Sequence, residues 1–434
     1  MASIMADGEK EIQRLLRTPP TDNPTISYLS PRAEFFLKTS LLLAPGRLDS
    51  QGRPWSTLWG GSEGFAKPIA DSLVRLQTQV DRHYDSVVQA LLGSVANHDA
   101  PQTQSQETGK MVSGLAVDLE NRRRVKLFGR MATGSLSGRD LGKKAQLVIK
   151  IEEILGTCPK YLNKKHIVLA VPMPRLVADS PQLSPAAVEL LSRADTIFVS
   201  SSKGASTMDT NIRGGPPGFV RVASNDADDV VILYPEYSGN RLYQTLGNVQ
   251  TTPRAGYVVP DFTTGNVLYA TGHVEILVGK DASAVLPRSN VVIRVTLAAA
   301  IFVENGLVFR GEPGDPSPYN PSTFPDTQDN AGETVTLIKK EEIMPVIYRF
   351  RCRVSSPKPV SWIPGQYATM SFQEVMDMGY SHMRDDDPGS LNDDYVRTFN
   401  ASSANNSRKC RLKESIRRLT RSSLALSWNV DSSK

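Results

Sequence analysis

The chain has 434 residues, 40% of them hydrophobic and 7% aromatic, enough for a globular protein of two or three domains. Fifty Lys and Arg oppose 45 Asp and Glu, a net charge of +5, and residues 407–434 alone carry eight basic against two acidic side chains. Outside that tail the chain is close to neutral, which argues against nucleic acid or a membrane surface as a partner. Cys158, Cys352 and Cys410 are far apart, with no CxxC or Cys/His spacing, so neither a zinc site nor a disulfide framework is expected. The first twenty residues mix charges and lack an apolar core, unlike a signal peptide. The most apolar run, Val295–Val303, is too short to span a bilayer. The expected setting is soluble, reducing and cytoplasmic, without a metal.

Residues 1–25 form an N-terminal extension, and a repeat organises the chain beyond it. SPRAEFFLKTSLLLAPG (30–46) and SPAAVELLSRADTIFVSSS (184–202) both predict a helix running into a strand. DSQGRPWSTLWGGSEGF (49–65) and DTNIRGGPPGFVRV (209–222) share Gly/Pro turn chemistry and reach Gly-Phe. GLAVDLENRRRVKLFGRM (114–131) and GYVVPDFTTGNVLYATGHVEIL (256–277) each predict strand, polar turn, strand. Three matched elements in one order indicate a tandem duplication: half one, 26–180, and half two, 181–310. Within half one, apolar residues at Leu73, Leu76, Val80, Tyr84, Val87, Val88, Leu91 and Leu92 predict an amphipathic helical insertion over 69–95. Arg122 and Arg124 share a strand face and predict a paired or solvated surface.

Half two carries YPEYSGNRLYQTLGN (234–248), with Ser, Gly, two Asn and Arg crowded between two apolar segments. That is more than a plain turn needs; the bland alternative is a turn in which Arg241 pairs with Glu236. Residues 311–333, rich in Pro, Gly, Asn and Asp, predict a linker. Alternating segments resume at 334–354, followed by PGQY (364–367) and RTF (397–399), while 407–434 predicts a short amphipathic helix or a disordered end. The Asp385–Asp394 run lacks EF-hand spacing and predicts a solvated loop.

ADTIFVSSS, RGGPPGFVRV, YSGNRLYQTLGN, PRAGYVVPDF and GHVEI, taken together, resemble the pyridoxamine 5'-phosphate oxidase-like, FMN-binding split-barrel family in its large tandem form. PGQY and RTF resemble the first lobe of a ferredoxin-reductase-type flavin domain. The resemblance implies a mainly β protein with flanking helices: a tandem FMN-binding split β-barrel, then a partial antiparallel barrel of the reductase type at 334–406. It implies that Ser238, Asn240 and Arg241 meet the phosphate of FMN, with Arg221 as a second cation and Gly218 and Gly239 allowing close backbone approach. Gln366, Tyr367, Arg397 and Phe399 would similarly serve FAD, although Asn400 stands where a hydroxyl is usual. Half one lacks SGNR, so one flavin site per chain is expected. The implied activity is that of a flavin-dependent oxidoreductase with a small-molecule substrate. It would depend on an external electron donor because no nicotinamide domain is recognisable. Catalytic residues are unassigned, and the oligomeric state is a monomer with an internal pseudo-dimer or a homodimer. The alternative is a non-catalytic flavin or haem binder, with His166 or His273 as haem ligand.

Overall fold

The computed structural model describes residues 5–18, 22–93, 102–103, 109–137, 144–157, 160–227, 229–237, 239–286, 289–317, 319–320, 333–344, 347–355, 367–371, 396–401, 410–414 and 425–429. Two compact units result, one running to Asn320 and a second built by the strands from Glu333 onward. Mainly β architecture with flanking helices is what the residue pattern predicts, and it is what forms.

The duplication is visible in strand order. In half one the antiparallel path runs Pro54–Ser56, Leu42–Leu48, Met111–Asp118, Arg123–Ser137, Lys144–Thr157, Leu73–Gln79, Ala66–Ala70. Half two repeats it with Thr207–Gly214, Thr196–Lys203, Arg254–Pro260, Val267–Val278, Val291–Glu304, Asp229–Pro235 and Arg221–Asp226. The helices before the two sheets, Pro31–Thr39 and Pro185–Arg193, start alike. Ser30 and Ser184 each accept a backbone N–H three residues on at 3.3 Å, and each is followed by Pro at a position where no N–H is needed.

The halves pack where Met111–Asp118 meets Thr207–Gly214 and Pro54–Ser56 meets Arg254–Pro260. Ser113 Oγ lies 2.6 Å and Ser200 Oγ 2.9 Å from Thr210 Oγ1, all fully buried. Gly46 and Gly256 each face strand atoms of the opposite half so closely that a Cβ would collide, which is why glycine is required at both places. One core joins half one to Phe262, Tyr269 and Phe309 of half two; another fills half two and takes in Ile12 of the N-terminal helix Asp7–Leu15 and Leu16 that caps it.

Three expectations change. Residues 66–79 form a hairpin rather than the start of a long helix, which is confined to Ser86–Leu92. Val74, Leu76 and Thr78 are buried in alternation, and the buried polar Thr78 hides the two-residue period from a count of apolar residues alone. The segment is not an insertion, because Arg221–Pro235 and helix Gln244–Thr251 take the same place in half two. Residues 311–317 and 319–320, within the expected linker, belong to the first unit: Ser317 N–H donates to Asn163 Oδ1 at 2.8 Å, and Arg122 Nη2 donates to the carbonyls of Asp315 and Pro316.

In the second unit, Glu333–Met344, Ile347–Ser355, Cys410–Glu414, Val396–Ala401, Tyr367–Ser371 and Ala425–Asn429 close into a six-stranded barrel. The basic tail thus supplies two strands, and the barrel is complete rather than partial, with no free edge. Val335, Phe350 and Cys352 are buried. No described helix is long and apolar enough to cross a membrane.

Candidate functional site

The loop after Asp229–Pro235 and the helix Gln244–Thr251 border a cleft of about 400 Å3 between the halves. Half one contributes Arg124 and Lys126 from one strand, with Lys160 and Tyr161 beyond it; half two contributes Asn211, Arg213, Tyr237 and Arg241, and Tyr319 completes the wall. Five cationic side chains thus meet four tyrosines, Tyr161, Tyr237, Tyr243 and Tyr319, with Glu236 the one carboxylate among the lining residues.

The base of the cleft is a bonded network. Arg124 Nη1 donates to Asn211 Oδ1 at 2.8 Å, and Thr245 Oγ1 donates to Asp209 Oδ2 at 2.6 Å. Lys126 is paired with Asp209 and donates to Gln244 Oε1 at 2.6 Å. Burial depresses the Lys126 pKa, and Asp209 works against that shift. Arg213 Nε pairs with Glu236 at 2.6 Å, both largely buried. Burial disfavours the Arg213 charge, but Glu236, with Tyr234 and Asp209, more than compensates and holds its pKa above the ordinary range. The rings of Tyr161 and Tyr237 lie 4.8 Å apart, and Lys160 Nζ sits 5.2 Å from the Tyr319 ring centroid. Burial raises the Tyr237 phenol pKa.

Of the residues expected here, Asn240 and Arg241 line the cleft. Asn240 Oδ1 accepts the Leu242 N–H at 3.2 Å, and Arg241 sits in a left-handed turn with φ 60°. Glu236, the partner that the plain-turn alternative gives Arg241, bonds Arg213. Ser238 lies outside the described residues. Arg221 is exposed on Arg221–Asp226, outside the lining residues, with its charge acting on Tyr237 of the cleft wall. Gly218, with φ 74°, sits beneath the Ser192 carbonyl, where a Cβ would collide. Gly239 does line the cleft. His166 is exposed and bonds Glu120 at 2.7 Å, His273 is exposed on its strand, and neither lines the cleft, which removes both as ligands there. In the second unit Tyr367 pairs with Asn400, Phe399 with Ala368 and Arg397 with Met370, so the two motifs are on adjacent strands. Gln366 and the Asp385–Asp394 run lie outside the described residues.

Arg124, Lys126, Lys160, Arg213 and the tyrosines were missed. The signal for the first two was present: they alternate on one strand, and the repeat puts that strand opposite the SGNR loop. Register also locates a second, equivalent place. Gly46 pairs with Ser56 and Ser113 as Ser200 pairs with Thr210 and Gly256. Counting along the strands, Trp59 then answers to Arg213, Thr57 to Asn211, Tyr269 to Lys126 and Val267 to Arg124. That counterpart is filled. Asp85 Oδ2 accepts from Thr57 Oγ1 at 2.7 Å and Trp59 Nε1 at 2.9 Å, while Oδ1 accepts the Val87 and Val88 N–H groups at the helix start. Burial lifts Asp85 to about 6 against those bonds.

No protein-family model matches the chain, and no curated protein matches it. Solved structures that show a similarity include the following three. A histidine-to-alanine variant of HupZ from Group A Streptococcus is 15% identical over 27% of this chain and 98% of its own, with TM-score 0.22. The Bacillus subtilis inhibitor of motility MotI/DgrA is 7% identical over 60% and 88%, with TM-score 0.16. Borreliella burgdorferi PlzA, solved with c-di-GMP, is 10% identical over 67% and 91%, also with TM-score 0.16. At those scores none bears on the ligand or the fold of this chain.

Proposed function

We propose that the cleft binds FMN and that the protein is a flavin-dependent oxidoreductase acting on a small-molecule substrate. The observation that carries this is the joining of cations, tyrosines and a helix start in one cleft of ligand size, in one half of a duplicated fold. A dianionic phosphate is met by Arg241 and by the amides opening Gln244–Thr251, whose Tyr243 cap position offers no side-chain acceptor. Tyr161 and Tyr237 supply apolar faces for an aromatic ring. FMN itself would supply the hydride and electron transfer. The chain's residues bind it, orient it and exclude water, with electrons coming from an external donor. FAD in the second unit is a parallel proposal resting on the pairing of Tyr367–Ser371 with Val396–Ala401, which carry Tyr367, Arg397 and Phe399.

One observation favours a non-catalytic flavin carrier: Lys126 and Arg213 are already paired with Asp209 and Glu236, leaving no evident acid or base among them. An absorption spectrum of the purified chain, followed by titration with FMN and cofactor extraction, tests the proposal. Flavin bands and extracted FMN are expected. A colourless protein that takes up no FMN would overturn it, and a flavin that no donor reduces would leave the carrier.

A further inference from the structure

The helix Asp7–Leu15 precedes both repeats and has no counterpart in either among the described residues. Asp7–Leu15 packs on Gln244–Thr251, the helix that follows the cleft loop, with Gly8 and Gly247 so close that a Cβ on Gly8 would strike the Gly247 carbonyl. Ile12 and Leu16 are fully buried in the core of half two. Between them Gln13, 6% exposed, donates from Nε2 to the backbone carbonyl of Arg241 at 3.3 Å. Its own carbonyl accepts the Thr18 N–H at 2.9 Å, which ties down the end of the helix.

The loop so held is strained. Among the described residues five that are not glycine have positive φ, and two of them, Arg241 at 60° and Tyr243 at 53°, flank Leu242. Left-handed backbone is unfavourable for residues with a Cβ and persists where surrounding contacts impose it. Half one offers the contrast: Asp85 has an ordinary φ of −76° and satisfies the first amides of its helix with its own carboxylate. The strained turn and the extra helix occur together, on the side with the open cleft.

We infer that the N-terminal helix is a brace for the cleft loop, and that Gln13 is a positioning residue acting through Arg241. This rests on Arg241 being a phosphate contact, as proposed above. Gln13 does not itself line the cleft. Affinity for the phosphate end of the ligand therefore depends on a side chain that never touches it.

The test uses Gln13→Met, which keeps length and removes the donor, and Gly8→Ala, which wedges the two helices apart. FMN and riboflavin differ by the phosphate, so their affinities are compared in the full chain. Trypsin cleavage after Arg241 is followed without any ligand. Gln13→Met should weaken FMN by about threefold to tenfold, the worth of one neutral hydrogen bond, and leave riboflavin unchanged. Both variants should be cut faster at Arg241 than the wild type. Equal loss of both flavins, or an unchanged cleavage rate, would overturn the inference. If the wild type binds no flavin the phosphate reading fails by itself, and the cleavage rate alone then decides whether the brace exists.

Discussion

Arg213 and Trp59 hold the same place in two copies of one fold, and the two copies have diverged around them. On the Arg213 side, Arg124, Lys126 and Asn211 line an open cleft. On the Trp59 side, their counterparts Val267, Tyr269 and Thr57 join Phe309 and Asp85 in a packed interior, with Trp59, Tyr269 and Phe309 each no more than 3% exposed. The helix starts differ in the same sense. Asp85 brings an anion to its own helix N-terminus, which satisfies the amides from within. Tyr243 brings none, which leaves that end suited to an anion from outside. A duplicated fold has thus left one side open as a cleft and filled the other as core.

If the Trp59 side is purely structural, its loss should lower stability without touching ligand binding. Trp59→Ala should cost about 3–5 kcal/mol in urea unfolding, as for a large buried side chain, while the folded fraction binds FMN as the wild type does. A change in FMN affinity at constant folding would break the comparison.

Asp85 gives the next effect. Its folded pKa of about 6 lies above the ordinary 3.8, so the folded state holds the proton more tightly than the unfolded chain. Stability from this group is therefore greatest below about pH 4 and is lost as the pH rises through about 6, by at most about 3 kcal/mol. Asp85→Asn removes that titration and turns an amide N–H toward two donors, Thr57 and Trp59. The stability gap between wild type and variant should narrow from pH 4 to pH 7. A gap that stays constant would mean Asp85 does not titrate there.

On the open side, Arg241→Ala should weaken FMN by tenfold or more, the worth of a charged hydrogen bond of about 1.5–3 kcal/mol, with little change in melting temperature. Added salt should have the smallest effect, a few-fold loss of FMN affinity with riboflavin unmoved, since only the phosphate is screened. Equal salt sensitivity for both flavins would place the cations away from the phosphate.

Much of the fold was legible because the halves repeat whole elements: Ser-Pro helix starts, Gly-Phe turns and hairpins recur in order. The hairpin at 66–79 was not, because Leu73, Leu76 and Val80 satisfy a helical spacing while the buried Thr78 breaks the apolar alternation. The closing strands Cys410–Glu414 and Ala425–Asn429 were hidden by basic residues within and around them. In the cleft, Asn240 and Arg241 were legible from local crowding. Arg124, Lys126 and Arg213 were not, because they are far from the loop in sequence and only strand register brings them to it.

The most direct test is a fluorescence titration of the full chain with FMN, run beside Arg241→Ala. One tightly bound equivalent per chain, lost in the variant at the same concentrations, is the predicted result. No saturable uptake, or a bound equivalent that Arg241→Ala leaves untouched, would contradict it.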